Sequence, residues 1–342
     1  MKKVLITASS FAHIYHFHVP YIEEFHKRGW YVCVACGGEI KQIPYADTLV
    51  QLPIKKSFFA LSNFKSSFVL HKIIKKEKFD LVISHTTLAA FFTRISEILL
   101  ENRPKTINVV HGYLFDEHTP LIKATILKCA EYITAPLTDK ILTMNSWDYK
   151  WAIEHKVGKS IGFIPGMGVD ENKLLNATKP MDFGVSSSDF MLVYLAEFSK
   201  RKNQEFLIRS LVKLDSNVKL ILPGQGEYLE YCKSLAKKLN ISDRVVFPGY
   251  ISNIAEVFLS ANVAVTSSRS EGLPFNIIEA MLCSLPIIAS KVKGHTDLID
   301  EGVTGFLFDF DSEEAFITCV NTLMESKDLR KRMGSSGKNK AE

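Results

Sequence analysis

Residues 262–290 read Asn-Val-Ala-Val-Thr-Ser-Ser-Arg-Ser-Glu-Gly-Leu-Pro-Phe-Asn-Ile-Ile-Glu-Ala-Met-Leu-Cys-Ser-Leu-Pro-Ile-Ile-Ala-Ser. The run Asn262–Ser267 is apolar and β-branched, which predicts a buried strand. Pro274 suits a first helical position, where its missing N–H costs nothing, and Phe275–Cys283 continues as helix. Pro286–Ser290 is apolar again and predicts a second strand. Such a strand, helix, strand unit builds a parallel sheet with helices on its faces. Two carboxylates punctuate it: Glu271 in the strand-to-helix loop and Glu279 inside the helix. The N-terminus of such a helix offers unpaired N–H groups and partial positive charge to an anion, and a carboxylate further along can accept hydrogen bonds from hydroxyls. On spacing alone the pair also reads as ordinary acids near a helix start, where acids are favoured.

The same alternation runs the length of the chain. In the first half the predicted strands are Val4–Ala8, Tyr31–Ala35, Leu81–Ser84, Ile107–Val110, Ile141–Met144 and Gly162–Ile164. In the second they are Met191–Ala196, Lys219–Leu222, Val245–Phe247, Val263–Ser267, Pro286–Ser290 and Gly305–Phe308. Between the sets, Gly166 to Asp189 is rich in Gly, Asn, Ser, Thr and Asp. The expected class is α/β: a Rossmann-like domain over 1–170, a linker over 171–189 and a second Rossmann-like domain over 190–342. Ligands are expected in a cleft facing the carboxyl ends of both sets of strands. With 342 residues, 46% apolar and 23% charged, the chain has enough apolar surface for two cores, and disorder is excluded. No short fixed period is present, which excludes a solenoid.

Six cysteines at 33, 36, 129, 232, 283 and 319 lack the paired spacings of a disulfide framework or zinc ribbon, as expected of a cytoplasmic protein. Cys33 and Cys36 lie in one strand at an odd separation, so their thiols point to opposite faces. No window approaches the roughly 18 uninterrupted apolar residues of a membrane span. Charge is uneven: residues 1–175 hold 22 Lys+Arg against 16 Asp+Glu, and the remainder 20 against 21. Much of the excess falls at Lys55, Lys56, Lys65, Lys72, Lys75, Lys76 and Lys78, among Phe58, Phe59, Leu61, Phe64 and Phe68. Residues 63–78 have helical periodicity with a basic and an apolar side, which suits either anionic lipid or an ordinary solvated helix. No recognised nucleic-acid motif accompanies the charge, so nucleic acid is not an expected partner.

The stretch Ser268–Ser290 closely resembles the E-x7-E segment of the family-4 retaining glycosyltransferases, which have the GT-B architecture. The resemblance extends through Asn108-Val-Val-His-Gly-Tyr113, Thr138–Asn145, Ile164–Asp170, Phe247-Pro-Gly-Tyr250 and Lys293–Leu298, and so covers nearly the whole chain. It implies that Glu279 holds the ribose of a nucleotide-sugar, and that Glu271 with Gly272, Leu273, Pro274 and Phe275 orients the donor sugar. It implies further that Tyr250 and Ile251 neighbour the base, and that His111, followed by Gly112, stands near the reacting centre. The family's diphosphate-gripping Arg and Lys fall at 197 and 202; Lys202 is kept, whereas Ala196 and Glu197 replace Gly and Arg. Arg201 in the same turn is expected to restore the charge. The family's C-terminal helix crosses back to the first domain, and that helix is expected to be short or missing here.

The first loop, Ser9 to Pro20, departs from the Gly-Gly of many relatives. Its Ile14-x-x-Phe17-x-x-Pro20 pattern resembles a subset that builds capsule, exopolysaccharide and O-antigen repeats. Ser9, Ser10, His13 and His16 are expected to contact diphosphate or acceptor. His13, His16 and His18 lack an accompanying carboxylate or Cys, so no metal is expected there. Asp309-Phe310-Asp311 matches a metal-binding DxD in form only; before the helix at Ser312 its acids are expected to cap.

What the resemblance implies is a metal-independent, cofactor-free retaining transferase that moves a sugar from a nucleotide-diphosphate sugar, expected to be UDP-linked, to a lipid-linked saccharide. Its expected place is the cytoplasm, peripheral on the inner face of the cell membrane. The alternatives are a nucleotide-sugar 2-epimerase of the same architecture, or a catalytically weakened nucleotide-sugar-binding partner protein.

Overall fold

The computed structural model describes residues 1–39, 41–55, 60–175 and 179–342. The chain divides into Met1–Met167 and Gly168–Glu342. In the first unit the strands are β1 (Lys3–Ala8), β2 (Tyr31–Gly37), β3 (Thr48–Leu52), β4 (Leu81–His85), β5 (Lys105–Val110), β6 (Lys140–Thr143) and β7 (Ile161–Phe163). All pair in parallel, in the order β3-β2-β1-β4-β5-β6-β7. The second unit holds β8 (Phe190–Val193), β9 (Val218–Ile221), β10 (Val245–Val246), β11 (Val263–Thr266), β12 (Ile287–Ser290) and β13 (Gly305–Phe308), in the order β10-β9-β8-β11-β12-β13. In each sheet the chain winds outward from one inner strand, then returns to start beside it and wind the other way. These reversal points, β1/β4 and β8/β11, are where open α/β sheets hold ligands.

Burial explains why the strands read as continuous apolar runs. All four residues of β11 and of β12 are buried, as strands covered on both faces must be. Cys33 packs with Leu70 and Ile74 on one face and Cys36 with Ile14 and Ile22 on the other, the alternation expected of the pair. β3, which no sequence signal singled out, is an edge strand whose Thr-Leu-Val-Gln-Leu is only half-buried.

The structure shifts several boundaries. The described residues of 171–189 fall inside the second unit: the Met181 N–H donates to Glu256 O at 3.0 Å, and Met181 and Phe183 pack against the cluster of Val257, Phe258 and Ile277. Pro274 is the N-cap of the helix Phe275–Leu282 rather than its first residue. Ser312, not an acid of Asp309-Phe310-Asp311, caps the helix Glu313–Glu325 by accepting from the Ala315 N–H. Asp311 instead lies 3.5 Å from Arg269. The chain ends in a helix, Lys327–Ala341, that packs on the helix Phe275–Leu282. A side chain at Gly334 would meet Ser284 O at 1.9 Å, so glycine is required for that approach.

The helix predicted over 63–78 spans Leu61–Glu77. Its Leu61, Phe64 and Phe68 are exposed, with Lys65, Lys72, Lys75 and Lys76 beside them. Lys56, Phe58 and Phe59 lie outside the described residues. A second exposed apolar set, Leu121, Ile122, Ile126 and Ile133, lies on the helix Leu121–Thr134. Between these two helices packs the helix Thr87–Glu97, whose fully buried Arg94 reaches Glu131 at 2.7 Å and Thr138 Oγ1 at 2.8 Å.

Candidate active site

The β8/β11 reversal point is built by two loops. The one after β8 runs from Tyr194 to Asn203 and lies tightly on the loop after β9. A Cβ at Gly224 would stand 2.0 Å from Ala196 O, and one at Gly226 2.3 Å from Phe198 O. The one after β11, Ser267 to Pro274, is stitched to it: the Arg269 N–H donates to Arg201 O at 2.8 Å and Ser267 Oγ to Asn203 O at 2.8 Å. Tyr194, buried, places its hydroxyl 2.7 Å from Ser268 Oγ and 3.2 Å from Lys202 O.

This stitching gathers three charges. Lys202 Nζ lies 2.6 Å from Glu271 Oε1, and Arg201 Nη1 lies 2.8 Å from Oε2. Ser268 Oγ donates to Oε1 at 2.6 Å. Burial works against the ionised Glu271, yet Lys202, Arg201 and then His295 hold its carboxyl well below the usual range. Burial lowers Lys202, and Glu271 opposes that effect. The charge of Glu271 raises Arg201, whose side chain is half exposed. Glu197, at the position of the family's Arg, is exposed.

Glu279 stands apart from this cluster. It is half-buried on the helix Phe275–Leu282, and its carboxylate makes no hydrogen bond or ion pair among the described residues. Burial pushes it up to about 7. Asn276 Nδ2 ties the same helix to Leu195 O at 3.1 Å. Tyr250 is exposed, and Ile251 packs beside Val257 and Ile277.

His295 was not singled out in the sequence. Gly294 approaches so closely that a Cβ there would lie 2.6 Å from Gly272 O, and this sets the buried His295 ring behind the loop. Its Nδ1 lies 2.7 Å from Ser290 O, which assigns the proton to Nδ1, while Nε2 is buried without a partner. Burial lowers its pKa to about 4, against the pull of Glu271, so the ring is neutral at pH 7.

In the first unit, the helix after β1 and the ends of β4 and β5 bring together histidines 13, 18, 85 and 111. Ser10 caps the helix Phe11–Phe17 by accepting from the His13 N–H at 3.3 Å, and Ser9 precedes it. His18 ends that helix and opens the next, Val19–Lys27. The His13 and His111 rings meet edge-on at 4.4 Å, His18 stacks on His85 at 3.7 Å, and His85 Nδ1 lies 3.1 Å from His111 Nε2. Burial lowers all four, His13 to about 4 and His18 to about 3. His16 does not join them: it is exposed, beside Tyr15 and Phe17. His85 is the member that sequence reasoning passed over, although it ends β4 as His111 follows β5. Thr86, next to it, has φ 70°, an outlier for a β-branched residue, and Gly112, next to His111, has φ 108°.

Comparison with known proteins accounts for both units. Residues 3–143 match the family model "Glycosyl transferase 4-like" and residues 178–340 the model "Glycosyl transferases group 1". The chain is 31% identical to EpsD of Bacillus subtilis (strain 168), over 99% of its own length and 92% of that protein's. The chain belongs to the GT-B glycosyltransferases of the family-4 type.

Among further relatives of this glycosyltransferase is the Escherichia coli UDP-Gal:alpha-D-GlcNAc-diphosphoundecaprenol alpha-1,3-galactosyltransferase, 25% identical over 79% of this chain and 72% of that one. Anabaena Alr3699/HepE, solved in complex with UDP-glucose, shares the fold with a TM-score of 0.77 at 20% identity, covering 100% of this chain and 94% of that one. Of the residues expected from sequence, Arg201, Lys202, Glu271 and Gly272–Phe275 fall together at the β8/β11 reversal, with Glu279 one to two turns into the helix. His111, His13, Ser10 and Gly112 fall together at the ends of β1 and β5.

Proposed function

We propose that this glycosyltransferase moves a sugar, with retention, from a UDP-sugar to a lipid-linked saccharide in surface polysaccharide synthesis. The observation that carries the proposal is the Arg201–Glu271–Lys202 cluster at the reversal point of the second sheet, with an unpartnered carboxylate behind it at Glu279. A diphosphate entering here competes with Glu271 for both cations. Lys202 and Arg201 then stabilise the charge that grows on the departing diphosphate, an effect realised mainly in the transition state. Glu271, released in part, orients the donor sugar with the backbone of Gly272, Leu273 and Pro274. Tyr250 and Ile251 neighbour the base, and His111 stands beside the reacting sugar. The incoming hydroxyl attacks from the leaving-group face and a diphosphate oxygen takes its proton, so no metal is required. HepE in complex with UDP-glucose supports the donor class, and the diphosphoundecaprenol substrate in the name of the E. coli relative supports the acceptor class.

Glu279 accepts hydrogen bonds from the ribose hydroxyls. A charge-assisted bond contributes about 1.5–3 kcal/mol, so Glu279→Gln raises the donor KM roughly 10- to 100-fold with a smaller change in kcat. Because burial raises its folded pKa to about 7, Glu279 gains its charge as pH climbs through neutrality. Donor affinity therefore strengthens from pH 6 to 8, and this slope disappears in Glu279→Gln. Stability runs the other way: between the unfolded pKa of about 4.3 and 7 the folded state holds the extra proton, so this group's contribution falls as pH rises. Donor titrations and melting curves at several pH values measure both slopes.

Peripheral contact with anionic lipid is supported by Phe64, Phe68 and their lysines and by the exposed Leu121, Ile122, Ile126 and Ile133 with Lys123 and Lys128. Phe64→Asp with Phe68→Asp should abolish sedimentation with vesicles containing anionic lipid, while UDP-sugar binding in solution is unchanged.

UDP release from a panel of UDP-sugars, with and without lipid-linked acceptors extracted from the source cells, tests the whole proposal. Release that saturates with one donor only when acceptor is present is the expected result. Interconversion of UDP-sugars without acceptor means an epimerase, and UDP binding without turnover means a partner protein; either outcome overturns it.

A further inference from the structure

We propose that His13, His18 and His111 form a binding site for a divalent transition metal of the zinc class, with His85 as the partner that orients His111. One ring nitrogen from each of the three lies within 4.8 Å of the other two. Nitrogens about 2.0–2.1 Å from a tetrahedral zinc sit roughly 3.3 Å apart, so small side-chain rotations close the set. Three histidines with a fourth position open to water or substrate are a sufficient ligand set, and imidazole suits zinc, copper, nickel and iron alike.

A second observation points to the same ligand. His13 Nε2 and both ring nitrogens of His18 are buried without hydrogen-bond partners. Buried side-chain nitrogens in folded proteins almost always find a partner. A cation that accepts lone pairs satisfies His13 Nε2 and one nitrogen of His18 at a single point. The 3.1 Å contact between His85 Nδ1 and His111 Nε2 holds the His111 ring from outside the set, the part that a carboxylate, carbonyl or water plays for most metal-bound histidines. The positive φ of Thr86, directly after His85, is strain of the kind that persists at ligand sites.

The transfer chemistry proposed above routes no step through this ion, although the two share His111. The ion's effect is to clamp the helix after β1 and the ends of β4 and β5 into one arrangement around the His111 ring.

Cobalt(II) is the probe, added to the full chain carrying no histidine tag after treatment with a chelator. Expected are one ion bound per chain, the intense visible bands of four-coordinate cobalt, displacement by zinc, and a higher melting temperature. His13→Gln and His18→Gln should each weaken binding by at least the 10- to 100-fold that loss of an outer partner costs, whereas His26→Gln on the neighbouring helix should not. The weak bands of six-coordinate cobalt, or four-coordinate binding that survives both His13→Gln and His18→Gln, overturn the proposal. So does retention of inorganic pyrophosphate, but not cobalt, in a His13- and His18-dependent manner, which would make the cluster an anion site. If either variant fails to fold by circular dichroism, the wild-type cobalt spectrum still decides.

Discussion

Lys202→Ala lowers kcat for sugar transfer by about 100- to 1,000-fold, with a much smaller change in donor KM. Removal of one preorganised donor from a site of developing negative charge has this cost, because the interaction strengthens as the leaving group departs. Lys202 is suited to the part: it is largely buried, it sits at the sheet reversal point, and its ammonium is held by Glu271 at 2.6 Å rather than by bulk water. Its removal also leaves Glu271 with Arg201 and Ser268 alone, so melting curves must accompany the kinetics. Lys202→Arg keeps the charge and should recover part of the rate. A rise in donor KM with kcat intact would assign Lys202 to ground-state binding and contradict the proposed role.

Arg94→Met destabilises the first unit by about 3–5 kcal/mol, the cost of leaving a buried charge without its partner. Arg94 and Glu131 are both enclosed, 2.7 Å apart, between the helices Thr87–Glu97 and Leu121–Thr134. Arg94 also donates to Thr138 and Thr134. The double variant Arg94→Met with Glu131→Leu should recover most of the loss, since two apolar residues of similar bulk leave no charge unpaired. All three tryptophans, Trp30, Trp147 and Trp151, lie in the first unit, so their fluorescence during denaturant unfolding follows that unit by itself. A single variant that unfolds with the wild type would show that the pair contributes nothing net.

The fold was legible because parallel strands buried on both faces leave a mark that needs no partner to interpret: Val263–Thr266 and Ile287–Ser290 are apolar throughout. β3 left no such mark, because an edge strand mixes faces and Thr48–Leu52 reads like a loop. The linker was misread for a related reason. Residues 171–189 are locally polar, and only their contacts with Glu256 and Ile277 place them in the second unit. Among the candidate site residues, Lys202, Glu271 and His111 stood out by position at strand ends next to recognisable motifs. That Arg201 and Lys202 share one carboxylate is a fact about two loops some seventy positions apart, and no local pattern encodes it. His85 obeyed the same strand-end rule as His111 and could have been found by it. His295 could not, since it owes its place to the close contact of Gly294 with Gly272.

The internal counter-ion at Glu271 has a bearing on selectivity and on product departure. On the proposed function, an anion gains purchase only if it outcompetes a carboxylate already holding both cations. A monodentate ion such as chloride meets one cation at a time and loses; a diphosphate spans the two and wins. After transfer the same carboxylate is on hand to reclaim Lys202 and Arg201 as UDP loosens its hold. The site thus carries its own displacing ligand, which favours rapid turnover over tight retention of spent nucleotide.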